Sequence, residues 1–269
     1  MTHRPTAEQA ALIAAIRRAL EADPRIAAVW LSGSLGRGAG DIYSDVDILA
    51  LCEDGTVGEV AAAYAKDVSA IATPVLIKTL FGGRIVNVVT EDWRRFDLVF
   101  IAAETLARYN AAELTPLFNR GTREPPRTTR PPHKTAPDTL RDLVEEFLRV
   151  LGLSPVTHGR GENVASLSGV ELLRRMLIDV LLEGNGVGPA ERGAALHLNA
   201  FLTSGQRVAL EALPPVAPNR ESLLAANRAL AAMFFPAAKA LAAKIGMEWP
   251  QALEDATHAH LKKTLDFEF

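Results

Sequence analysis

The chain has 269 residues, 48% of them hydrophobic and 23% charged, with 29 Lys/Arg against 32 Asp/Glu for a formal charge of -3. Such proportions exclude a fibre or a disordered tail, and the length is that of one large or two ordinary domains. The single cysteine, Cys52, cannot close an internal disulfide, which removes the small secreted scaffolds and fits a reducing, cytoplasmic setting.

Residues 1–120 hold 12 basic and 15 acidic side chains, residues 121–137 hold 4 and 1, and residues 138–269 hold 13 and 16. Neither half carries the domain-wide basic excess that long nucleic acid demands, so no such partner is expected. No membrane partner is expected either. The most apolar stretch, 230–245, is interrupted by Pro236, Lys239 and Lys244 and falls short of the roughly 18 to 20 apolar residues that span a bilayer.

In chain order, Thr6-Ala-Glu-Gln9 reads as a capping box opening a helix over 7–21, rather than as a signal peptide. Short apolar runs follow at 26–32, 46–52, 75–79, 85–90 and 96–101, with a helical period over 57–72. Gly82-Gly83 between two of these runs predicts a hairpin, so the expected fold is α/β with a mixed sheet flanked by helices. Residues 121–137 contain five prolines and no large apolar side chain. They read as a Pro-rich basic linker that joins no core, closing a first domain at 1–120; the alternative is a basic arm touching phosphates. Beyond it, 138–269 reads as an all-α bundle with helices near 138–151, 168–183, 189–199, 204–213, 220–246 and 250–265. Gly184 stands at one helix end and Pro250 at one helix start.

The chemistry concentrates in Leu31-Ser-Gly-Ser-Leu-Gly-Arg-Gly-Ala-Gly-Asp-Ile-Tyr-Ser-Asp-Val-Asp-Ile-Leu-Ala50. A strand ends at Gly33-Ser34, a glycine-rich turn follows, and a second strand begins with Asp45 and Asp47. Residues two apart on a strand face the same side, and two carboxylates held together repel unless a cation lies between them or one is protonated. Magnesium, which takes oxygen ligands and completes its shell with phosphates, resolves the conflict. Gly33 offers a backbone that a phosphate can approach, Ser34 a hydroxyl, and Arg37 a guanidinium fork. Each half alone is weak. A glycine-rich turn is often only a loop, Asp-x-Asp is often a solvated strand edge, and neither a P-loop nor a dinucleotide fingerprint is present.

Gly-Ser, ten intervening residues and then Asp-x-Asp flanked by Val46, Ile48 and Leu49 resembles the signature of the DNA polymerase beta-like nucleotidyltransferase superfamily. Over residues 29–101 the chain looks like the bacterial antibiotic nucleotidyltransferases that adenylylate aminoglycosides or lincosamides. The resemblance implies an N-terminal catalytic domain and a C-terminal helical domain forming the opposite wall for acceptor and nucleotide. It further implies transfer of a nucleoside monophosphate, AMP from ATP, to a hydroxyl of a small molecule, with one or two Mg2+ ions and release of pyrophosphate. Asp45 and Asp47 would hold metal, and Gly33, Ser34, Arg37 and Ser44 would bind the nucleotide.

The superfamily's third carboxylate falls on Asp97 within Arg94-Arg-Phe-Asp-Leu-Val-Phe-Ile101, as metal ligand or as base; the plainer reading is a salt bridge to Arg94 or Arg95. Glu162, just ahead of a helix, is the candidate acceptor contact, with a surface charge as its alternative. Trp30 and Trp93 would stack on a base or pack in the core, and Cys52 reads as a buried inert thiol. Rival readings are a protein or RNA nucleotidyltransferase and a non-catalytic antitoxin of the same fold. The sequence does not decide between a monomer and a homodimer.

Overall fold

The capping box forms. Thr6 accepts from the Gln9 amide, the Gln9 side chain answers to the Thr6 amide, and α1 runs Ala7–Ala22 with Leu12, Ile16 and Leu20 buried along one face. This computed structural model describes residues 4–128, 131–192 and 198–269, which divide into two units, Met1–Arg130 and Pro131–Phe269.

In the first unit α1 is followed by β1 (Ile26–Leu31), the single turn α2 (Gly33–Gly36), β2 (Val46–Cys52), α3 (Val57–Lys66), β3 (Pro74–Leu80), β4 (Ile85–Thr90), β5 (Arg95–Ile101) and β6 (Thr115–Asn119). The six strands form one sheet in the order β3-β4-β5-β2-β1-β6. Only β2 and β5 run parallel; the remaining neighbours are antiparallel, and the Gly82-Gly83 turn joins β3 to β4 as the composition predicted.

Alternation along the strands sorts the two faces. Val46, Ile48 and Ala50 of β2 and Phe96, Leu98 and Phe100 of β5 pack under α1 and α3. Leu49, Leu51 and Ile101 face the other way, against Trp30 and Leu106. Asp47 and Asp97 share the parity of this second set, so strand geometry turns them away from the helices.

Two expectations need correction. The helix at 57–72 stops at Lys66, because the Ser69 amide bonds Asp67 Oδ1 at 2.7 Å in a local turn that competes with helical continuation. The linker is less detached than its composition suggests. Pro125 is buried, Asn110 Nδ2 donates to the Thr128 carbonyl at 2.6 Å, and in the second unit His133 Nε2 and Thr135 Oγ1 each lie 2.7 Å from Glu183 Oε2. Strand β6 is invisible in the hydrophobic pattern. It is short and carries Pro116, which a sheet edge accommodates beside a register shift in β1.

The second unit comprises α4 (Pro137–Gly152), α5 (Ser154–Gly159), α6 (Asn163–Gly184), α7 (Pro189–Arg192), α8 (Leu198–Phe201), α9 (Ser204–Glu211), α10 (Arg220–Ile245) and α11 (Gln251–Leu265), with no strand among the described residues. The helix predicted at 189–199 is described only at its two ends, since 193–197 lie outside the described residues. Phe147, Leu177, Leu223 and Phe234 are fully buried where α4, α6 and α10 meet. No described helix is long and apolar enough to cross a membrane.

Candidate active site

Parallel pairing of β2 and β5 sets Asp47 opposite Asp97, and antiparallel pairing of β4 and β5 sets Asn87 opposite Asp97 on the other side. Three adjacent strands thus present Asp47, Asp97 and Asn87 in one row. Asn87 Nδ2 donates to Asp97 Oδ1 at 2.5 Å. This fixes the Asp97 carboxyl by one oxygen.

Burial pushes Asp47 up to about 6, with the negative charges of Asp45 and Asp97 adding to the shift and the cations Arg37 and Arg95 opposing it. Asp97 is also raised, by burial first, against the hydrogen bond from Asn87; Asp45 adds to the rise and Arg95 opposes it. The three carboxylates therefore feel one another, although Asp45 lies in the turn ahead of β2, which begins at Val46, and not on the strand as its spacing predicts. They do not form a closed cage. Among the described residues, no group of three His, Cys, Asp or Glu side chains stands ready to hold a metal ion.

That combination decides how a cation fits. The donors are hard carboxylate oxygens, two of them register partners, and their mutual repulsion leaves a charge for a cation to neutralise. Magnesium characteristically takes one or two protein carboxylates and fills its octahedron with water and substrate phosphates. The hard oxygen donors of Asp45, Asp47 and Asp97 fit a magnesium ion by their chemistry.

The glycine turn is built against the same carboxylates. The Ser32 amide donates to the Asp47 carbonyl at 2.8 Å, tying the start of α2 to β2. Gly33 has φ +61°, and a Cβ there would lie 1.8 Å from Asp47 Oδ2. Only glycine allows both the left-handed backbone and the contact. The first amides of a helical turn have no intrahelical acceptor, so Gly33 and Ser34 bring such donors beside Asp47. The Ser34 hydroxyl and the exposed Arg37 guanidinium make no hydrogen bond among the described residues.

Ser44 has a different setting. Its hydroxyl donates to Asp41 Oδ1 at 2.9 Å and accepts from the Asp41 amide at 2.9 Å, shaping the turn ahead of Asp45. Gln9 holds that turn from α1: its Nε2 donates to the Asp41 and Ser44 carbonyls at 2.8 and 2.9 Å. Gln9, Asn87 and Arg95 escaped the sequence reading. Gln9 is spent locally on a capping box, and Asn87 sits unremarked in an apolar run. For Arg95 the sequence suggests only a salt-bridge partner. Neither Arg94 nor Arg95 pairs directly with Asp97. Arg94 Nε meets Asp92 Oδ2 at 2.7 Å, while Arg95 Nη2 donates to the Tyr43 carbonyl at 3.2 Å.

Glu162 lies in the helical unit, exposed at the N-cap of α6, with no side-chain cap hydrogen bond. Trp30 is buried in the sheet core, whereas Trp93 is 77% exposed at a turn with φ +61°. Cys52 is fully buried and its thiol is pushed up to about 12 by burial, so it stays protonated and inert.

Residues 13–101 match the family described as a nucleotidyltransferase domain. No curated protein matches the chain. Among solved structures, the chain is similar to an aminoglycoside 6-adenyltransferase from Bacillus subtilis, at 15% identity and a TM-score of 0.44, over 94% of this chain and 96% of that one.

Proposed function

We propose that this chain, a nucleotidyltransferase by the domain it carries over residues 13–101, moves a nucleoside monophosphate, AMP from ATP, onto a hydroxyl of a small molecule. The observation that carries the reading is the side-by-side placement of Asp47 and Asp97 on parallel strands with Gly33 packed against Asp47. Asp45, Asp47 and Asp97 would hold magnesium. When bound, the ion supplies positive charge between these carboxylates and the phosphate oxygens.

The chain's own groups account for the rest. Backbone amides at Gly33 and Ser34, the Ser34 hydroxyl and the Arg37 guanidinium offer donors to the outer phosphates and hold the triphosphate beside the carboxylate row. The acceptor hydroxyl oxygen bonds to the α-phosphorus, the bond from that phosphorus to the α,β-bridging oxygen breaks, and pyrophosphate departs with the electron pair. Where Asp97 does not share the ion, it accepts the hydroxyl proton, and Asn87 keeps its carboxyl oriented. Orientation and charge complementarity then supply most of the rate.

The choice of acceptor rests on the resemblance of residues 29–101 to antibiotic nucleotidyltransferases, which points to an aminoglycoside or lincosamide hydroxyl. The formal charge of -3, without a basic domain, favours a small acceptor over RNA.

The test incubates the purified protein with magnesium and each α-labelled nucleoside triphosphate in turn, over a panel of aminoglycosides and lincosamides. Label on one drug, matched by pyrophosphate, is expected with ATP. Label on a protein band or on RNA would replace the small acceptor. Failure to bind any triphosphate would return the chain to a non-catalytic role.

A further inference from the structure

Helix α9 keeps a complete capping box at Thr203 and Gln206, yet none of its residues is buried. It stands off from α6, and the gap is a cavity of about 610 Å³. Leu167, Val170 and Ile178 form one wall, spaced along a single face of α6, and Leu202, Leu210 and Leu213 line the other side. Leu167, Leu202, Leu210 and Leu213 stay only partly buried at the margin of the helical core. Unfilled apolar surface forfeits dispersion contacts, and water in such a space finds few polar partners. The volume falls in the range of clefts that take drug-sized molecules.

Two acidic and two basic side chains line the cavity, Glu171, Glu211, Arg174 and Arg207, and they differ in setting. Arg207 and Glu211 answer each other, Nε to Oε1 at 3.8 Å, and Glu171 is exposed. Arg174, one turn along α6 from Glu171 and only partly exposed, has no hydrogen bond or ion pair among the described residues. A partly exposed arginine without a partner beside an apolar cavity matches a ligand that brings an anion on an apolar body.

We propose that the cavity between α6 and α9 binds a small amphiphile whose carboxylate or similar anionic group meets Arg174 while its apolar part lies along the leucines. This inference stands apart from the nucleotidyl-transfer reading, because its test uses neither nucleotide nor transfer.

Calorimetric titration of the full chain with octanoate, 1-octanol and octyltrimethylammonium, without nucleotide, tests it. Octanoate should bind saturably at one site, at least about tenfold more tightly than either of the others, the difference expected of one charge-assisted contact. Arg174→Gln should reduce octanoate to the affinity of octanol with an unchanged melting temperature. Leu210→Trp, which fills the cavity, should abolish binding of all three; Leu202→Trp serves if that variant does not fold. Absence of saturable octanoate binding, equal affinity for the three probes, a preference for the ammonium, or undiminished octanoate binding by Arg174→Gln would each overturn the assignment.

Discussion

Gly33 lies against Asp47 so closely that the smallest side chain at position 33 would meet Asp47 Oδ2 at 1.8 Å. The glycine turn and the carboxylate row are thus one construction. Displacing the turn displaces the acid.

Gly33→Ala is therefore expected to act on both. The left-handed backbone alone costs about 1–2 kcal/mol for a residue with a Cβ, and Asp47 must move to make room. Urea unfolding should show that loss, and transfer should fall at least about tenfold. Full activity in a folded Gly33→Ala chain would show that the close approach has no bearing on the reaction.

Asp47 predicts a pH signature in the chain freed of metal by chelation. Its pKa is about 6 in the folded state against 3.8 as the ordinary value. Between those values the folded chain binds more protons than the unfolded one, so stability falls as pH rises from about 4 to about 6 and then levels. Relative to the parent, Asp47→Asn should be more stable by about 1–3 kcal/mol at pH 7.5, with the advantage shrinking towards pH 4. The same variant should lose transfer altogether. Parallel stability profiles for the two chains would contradict the burial assigned to this carboxylate.

Asn87 predicts a milder defect. Asn87→Ala removes the hydrogen bond that orients Asp97 and leaves a partly buried carboxyl short of a donor, a loss of about 1–3 kcal/mol for a charged partner. The maximal rate should fall about tenfold or more with little change in KM for the triphosphate. A rise in KM at an unchanged maximal rate would instead place Asn87 in binding.

His158 predicts acid sensitivity in the helical unit. It is buried, neither ring nitrogen has a hydrogen-bond partner among the described residues, and burial, with Arg220 adding to it, lowers its pKa below the ordinary 6.5. As pH falls through 6.5 the unfolded chain takes up the proton first, so stability declines with a slope of at most about 1.4 kcal/mol per pH unit. The decline levels below the depressed folded pKa. His158→Leu should flatten this region of the stability profile and leave pH 8 behaviour nearly unchanged. An unaltered acid slope in the variant would assign the sensitivity elsewhere.

The amino-acid order by itself specified the capping box at Thr6, five of the six strands, the hairpin at Gly82-Gly83 and most helices beyond the linker. Each of these follows from periodicity or turn chemistry within about ten residues. The spacing of Gly33, Ser34, Asp45 and Asp47 likewise marked the segment where the glycine turn meets the carboxylates, because all four lie on one turn and at the start of one strand.

What lay outside that reach depends on pairing between distant segments. Parallel register alone puts Asp97 opposite Asp47, and antiparallel register puts Asn87 beyond it. The hold of Gln9 on the turn at Asp41 and Ser44 joins residues more than thirty positions apart. Strand β6, with its proline, exists only because β1 offers it an edge. Hydrophobic pattern records which face a residue buries, whereas hydrogen-bond register and side-chain contact belong to the assembled sheet, and the row of Asp47, Asp97 and Asn87 is a property of that register.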